Sequence, residues 1–226
     1  MQAVLEACYL CGEPIVEDMA ADHVPPKQFY SHEVRRLHGP NLLTLPTHGA
    51  CNASYQLDEE YFIHAICPLA MESYSGGSLF RELVGQYHGD RNVPLSRRVF
   101  SEFEKRPSGL VLPNGKVVKR FDPDRVWRVV WKITRGLYAH EYGELLLEDT
   151  PKLFKVVSPG EKPPQEFFLL PDDPVRGPYP GVFDYKFRRF PELNDSHLWA
   201  MLFWDRLIML VMFHNLSCQC ETCTNT

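Results

Sequence analysis

A surplus of basic charge is missing from this chain of 226 residues: 24 Lys and Arg face 29 Asp and Glu, for a formal net charge of -5. That excludes a chain-wide attraction to polyanions, so any contact with nucleic acid depends on a local patch. Long apolar runs are missing too. The one stretch that approaches a membrane span, residues 198–213, is cut by Asp205-Arg206 into two seven-residue runs. Each such charge costs roughly 2.5–3.5 kcal/mol at mid-bilayer, and the stretch is short for a crossing, so a buried element is expected and a membrane is not. The N-terminus lacks a basic segment, an apolar run and a small-residue cleavage site in succession, which predicts a cytoplasmic rather than a secreted protein. No internal repeat or heptad array is present, which argues against a solenoid. The seven cysteines are odd in number and closely spaced, which suits metal binding or free thiols better than a disulfide framework.

The cysteines that are present fall into a pattern. Cys8 and Cys11 are separated by two residues and followed by Gly12; His48 and Cys51 repeat that spacing forty residues later. Two pairs of soft or borderline donors, each on a tight turn, suit one tetrahedral zinc. Four protein ligands leave no position open for water, so the expected role of the zinc is structural. Unrelated thiols are the alternative, and the matched spacing counts against it. Between the pairs lies Asp22-His23-Val24-Pro25-Pro26, and Asn52 follows Cys51 directly.

The coarse pattern predicts an α+β chain. A strand over 15–24 ends at His23 because Pro25-Pro26 cannot continue the pairing. A loop or helical turn over 27–40, a second strand over 41–46 and a helix from Gly49 to about Leu69 follow. Ser75-Gly76-Gly77 reads as a break, followed by helices over 78–87 and 95–104. Asn114-Gly115 between short apolar runs predicts a hairpin. Asp122-Pro123 predicts a helix start, with Val126, Val129, Val130, Ile133 and Leu137 on one stripe and Arg125, Arg128, Lys132 and Arg135 mostly off it. Strands are expected over 145–147, 153–157, 167–170 and 182–190. The runs 198–204 and 207–213 fit a hairpin or a helix, and the central Asp-Arg favours the hairpin.

Residues 8–62 resemble the zinc-bound HNH endonuclease family: Asp22-His23 before a proline, Asn41 opening a short apolar strand, then His48 and Cys51 followed at once by Asn52. The likeness covers about a quarter of the chain. It departs from the family in having His48 where cysteine is usual and Tyr55 where a basic residue is frequent. The resemblance implies an N-terminal zinc-stapled ββα, treble-clef-like module with a larger mixed α+β region after it. It also implies metal-dependent hydrolysis of phosphodiesters in nucleic acid, DNA ahead of RNA, with nothing in the sequence that fixes the choice between them. In that reading His23 is the general base, and Asp22 and Asn52 hold a catalytic Mg2+, with Mn2+ as a substitute. Asn41 ties down the loop that orients the histidine. Independently of the family, a histidine at a strand end and an amide in the first turn of a facing helix can converge on one cation if a zinc fixes the angle between those elements.

The expected organisation is a module over 1–70, a helical connector over 71–106, a mixed α+β domain over 107–216 that engages substrate or a partner protein, and a tail over 217–226. His64, His88, His140, His197 and His214 lack paired ligands and read as surface or core residues. Cys67 reads as a buried hydrophobe. Cys218, Cys220 and Cys223 are either a frayed tail or, with His214, a second metal site. Arg35-Arg36, Arg97-Arg98, 116–120 and 186–189 either line a phosphate groove or form a solvated face. The rival reading of the whole chain is a non-catalytic zinc-stabilised module that binds nucleic acid or protein.

Overall fold

The computed structural model describes residues 7–39, 42–88, 93–113, 117–162, 164–172, 175–179 and 181–214. Asn41, the Asn114-Gly115 turn and the cysteine-bearing tail lie outside the described residues. Strand β1 (Met19–His23) pairs antiparallel with β2 (Thr44–His48), with Asp22 opposite Leu45 and Met19 opposite His48. The chain between them holds a 3-10 turn and helix α1 (His32–His38), where the Ser31 hydroxyl accepts the Val34 N–H at 3.2 Å. That bond satisfies one of the donors a helix start leaves unpaired.

After β2 the expected helix arrives in two pieces, α2 (Gly49–Ala53) and α3 (Gln56–Ile66). The Tyr55 N–H bonds the Asn52 carbonyl at 3.1 Å, a tight turn that closes α2 early. Helix α4 (Tyr74–His88) runs through the glycines read as a break. The reason is close packing: a Cβ on Gly76 would lie 2.2 Å from the Ala70 carbonyl oxygen. Helix α5 (Val93–Ser101) follows. The short strand β3 (Phe103–Glu104) pairs with β4 (Val118–Lys119), so residues 110–112 are not the partner that the expected hairpin required.

Helix α6 (Pro123–Tyr142) starts as expected, with the Asp122 carboxylate accepting from the Arg125 N–H at 3.4 Å. Its far side differs from expectation, since Lys132 and Arg135 are as buried as the valine stripe. The C-terminal strands β5 (Lys152–Val157), β6 (Arg176–Tyr179), β7 (Phe183–Phe190), β8 (Ser196–Phe203) and β9 (Leu207–Phe213) form one antiparallel sheet in the order β5-β9-β8-β7-β6. The 198–213 stretch is a hairpin, turned at Trp204 and Asp205 in positive-φ conformations. Residues 145–147 form no strand and 165–169 form a 3-10 turn.

One face of the sheet packs on α6 through Trp131, Tyr138, His197 and Phe213. The same core continues into the N-terminal hairpin region. Phe29 stacks on Phe62 with ring centres 5.1 Å apart, Phe203 and Trp204 close over both, and the Trp204 indole donates to the Phe29 carbonyl at 3.0 Å. Residues from Cys8 to Phe213 thus share one apolar cluster. No helix among the described residues is long and apolar enough to cross a membrane.

Candidate metal cluster and adjoining polar pocket

The turn that carries the first donor pair is closed by the Gly12 N–H to the Cys8 carbonyl at 2.8 Å and the Cys8 N–H to the Glu13 carbonyl at 2.9 Å. Gly12 adopts φ 82°, a left-handed conformation that a side chain resists. His48 ends β2, and Cys51 sits in the first turns of α2. The donor atoms of Cys8, Cys11, His48 and Cys51 lie within 4.8 Å of one another, close to the roughly 3.8 Å edges of a tetrahedral zinc-sulfur site. His48 is oriented from behind. Its Nε2 lies 3.2 Å from the Pro14 carbonyl, which can only accept a hydrogen bond, so in the neutral ring Nδ1 carries the lone pair, and it faces the Cys11 sulfur at 3.4 Å. A metal-bound imidazole needs that arrangement.

The thiols carry the same message. Burial pushes Cys8 up, but the Thr47 hydroxyl and the amides of residues 48, 10 and 11 outweigh it and bring the thiol down to about 6. Burial and the neighbouring thiols push Cys51 up to about 12. Several thiolates crowded into one place repel each other until a cation neutralises them. The donor set therefore fits a metal ion such as zinc, held by four protein ligands.

Beside this cluster an open pocket of about 400 Å³ is lined by Asp22, His23, Lys27, Gln28, Asn52 and Glu59, among others. The strand end supplies Asp22 and His23, α2 supplies Asn52, and α3 supplies Glu59. His23 is half-buried, and its imidazole is lowered from 6.5 by burial, then by the positive charges of Lys27 and Lys132, with Asp22 opposing. A histidine lowered in this way is neutral at pH 7 and able to accept a proton.

Asp22 is engaged from behind. The Lys132 ammonium on α6 lies 3.0 Å from Asp22 Oδ1, 2.8 Å from Asp22 Oδ2 and 3.3 Å from Asn52 Oδ1, and it also bonds Glu59. The Tyr9 hydroxyl donates to Asp22 Oδ2. Burial, then the Asp22 charge, raises the Tyr9 phenol well above 10, which keeps it a donor. The oxygen atoms of Asp22, Asn52 and Glu59 are of the type that holds magnesium. As arranged they hold a lysine instead, so a divalent ion between Asp22 and Asn52 does not fit this conformation.

No family model, curated protein or solved structure matches this chain. The site is therefore read from its own residues. Sequence reasoning brought Asp22, His23 and Asn52 to one pocket but missed Lys132, Glu59 and Tyr9. A signal for Lys132 was present. Arg125, Arg128, Lys132 and Arg135 follow helical spacing and form a stripe of their own. On α6 that stripe meets Asp58, Ser54, Glu59, Asp22 and the Leu10 carbonyl in turn. Tyr55 lies under it, with Arg128 at 4.2 Å and Lys132 at 5.3 Å from the ring centre. The surface clusters are largely matched by acids or carbonyls: Arg98 bonds Asp122, Lys119 bonds Glu102, Arg189 bonds Asp195 and Arg188 bonds the Leu169 carbonyl.

Proposed function

We propose that this chain is an HNH-type nuclease that hydrolyses phosphodiester bonds in nucleic acid, with DNA as the first substrate to try. The observation that carries the reading is the meeting of Asp22, His23 and Asn52 on one open pocket, at the junction of a hairpin and a helix that the Cys8, Cys11, His48 and Cys51 cluster ties together. Zinc at that cluster is structural. His23 takes a proton from a water molecule as its oxygen attacks phosphorus; the bond from phosphorus to the 3′ oxygen breaks, and that oxygen leaves with a proton from solvent. Lys27, exposed at the pocket rim, offers a positive charge to the phosphate. A catalytic Mg2+ or Mn2+ on Asp22 and Asn52 belongs to this reading only in an arrangement in which Lys132 has left them. The role left for the region beyond residue 107 is choice of substrate or of a protein partner.

The test is nicking of supercoiled plasmid, and cleavage of single-stranded RNA, by purified protein with Mg2+ or Mn2+, beside His23→Ala. Removal of a general base lowers the rate about 10²–10⁴-fold. Cleavage by the parent and none by a folded, zinc-loaded variant is the expected result. The second reading, a non-catalytic module that binds nucleic acid or protein, is favoured by the lysine buried against Asp22 and Asn52. Binding of DNA or RNA with no cleavage under any divalent metal would put it ahead.

A further inference from the structure

Lys132 is an unusual residue to find at the back of this pocket. It is 1% exposed, on the middle of α6 (Pro123–Tyr142), well beyond the end of α3 at Ile66, and its ammonium touches three different elements: Asp22 on β1, Asn52 on α2 and Glu59 on α3. Lysine is almost never this buried without a partner, and here it has four oxygen contacts. Two carboxylates and an amide oxygen converging on one point form the donor set of a hard divalent cation. The charge balance agrees. Asp22 and Glu59 bring two negative charges and Lys132 returns one, so a divalent ion added to the intact cluster would share its ligands with a cation already in place. Burial raises the Glu59 carboxyl and Lys132 opposes that shift, so without a cation Glu59 would be pushed towards its neutral form.

We infer that Lys132 is the resident cation of the Asp22, Asn52 and Glu59 cluster, and that its ammonium excludes divalent metal from this site while α6 is packed. The lysine and a divalent ion are alternative occupants of the same oxygens. This rests on the nuclease reading only for its consequence, which is that the centre is latent in the free chain and opens when bound nucleic acid draws Lys132 away from β1 and α2, so that the free parent takes up no Mn2+ at this site and the parent with DNA cleaves. The helix holds Lys132 in place by its neighbours on the same stripe, Arg128 on Asp58 and the Ser54 carbonyl, and Arg135 on the Leu10 and Leu146 carbonyls.

The experiment is Mn2+ binding by the full-length, zinc-loaded chain, followed by electron paramagnetic resonance of the free ion, for the parent, Lys132→Met and the double variant K132M with D22N. The expected result is no Mn2+ taken up by the parent at this site, one Mn2+ per chain for K132M with at least tenfold tighter binding than the parent, and loss of that ion in the double variant. If K132M does not fold by itself, millimolar Mn2+ is expected to restore its near-ultraviolet circular dichroism, because the metal supplies the missing positive charge. Three outcomes overturn the inference: one Mn2+ on the parent that Asp22→Asn removes, a folded K132M that binds none, or a K132M that stays unfolded at saturating Mn2+. The two ideas fail separately. Mn2+ binding by K132M without cleavage by it supports the role of the lysine and counts against the nuclease. Mg2+-dependent cleavage by a parent that binds Mn2+ through Asp22 does the reverse.

Discussion

At the scale of single residues, the donors of the metal cluster and the buried histidines make separate demands. Cys11 is exposed and packs little, so its value lies in its sulfur. Cys11→Ala is expected to reduce the zinc content from one per chain to near zero and to lower the melting temperature by about 20 °C or more. Structural zinc contributes about 10–16 kcal/mol to small zinc-dependent folds, and each lost kcal/mol shifts a domain of this size by about 2–4 °C. Elemental analysis and calorimetry check this; a variant that kept both its zinc and its melting point would show that the cluster is not a zinc site. His64 is buried on α3 against the Tyr87 hydroxyl at 2.5 Å, and burial lowers it to about 4. His197, under Tyr138 and Phe213, is lowered to about 4 as well, by burial first and by Arg189, with Asp195 and Glu144 opposing. Both are neutral when folded, whereas the unfolded chain takes up their protons below about 6.5. Their contribution is therefore complete above that pH and is lost as the pH falls from about 6.5 towards 4, by at most about 3 kcal/mol for His64. Denaturant melts at pH 7.5 and 5 should show the loss, and His64→Gln should flatten part of it.

Helix α6 is the element on which the arrangement turns, because it packs on the sheet with one stripe and on the hairpin and α3 with the other. Gly136 marks the closest approach. A Cβ there would meet Val24 Cγ2 at 2.7 Å and the Tyr9 ring at 3.3 Å, and Val24 is itself fully buried. Alanine in place of a mid-helix glycine gains about 1 kcal/mol in helix propensity, while overpacking a core costs about 1–3 kcal/mol. Gly136→Ala is expected to destabilise by a net of up to about 2 kcal/mol on those figures and to push α6 away from β1. The readout is a lower denaturant midpoint together with altered amide exchange at residues 20–24. A gain in stability would mean that α6 has slack against the hairpin. Helix limits were partly legible: Asp122-Pro123 announced the start of α6, whereas Gly76 and Gly77 announced a break that does not exist. Glycine as a turn and glycine as a close contact look alike in sequence, and only the Ala70 carbonyl beside Gly76 separates them.

At the scale of the molecule, the hairpin, helices and sheet share one apolar cluster, in which Phe29 and Phe62 are covered by Phe203 and Trp204. A fragment of residues 1–106 with zinc is expected not to fold as it does in the whole chain. It would expose Phe29, Phe62 and Val24 and leave Asp22 and Glu59 without Lys132. Poor dispersion in its amide NMR spectrum and binding of a hydrophobic dye would bear this out, and a well-dispersed, cooperative fragment would show an independent module. The sequence by itself determined the two spaced donor pairs of the candidate metal cluster and the strand that stops before Pro25, because spacing within a pair and proline act over a few residues and need no distant partner, whereas the set of Asp22, His23 and Asn52 came from the family resemblance. Only the tertiary structure decided what stands behind Asp22. Lys132 lies 110 residues away along the chain, and nothing local ties a lysine on one helix to a carboxylate on a strand. Burial of both in one core makes each the necessary partner of the other.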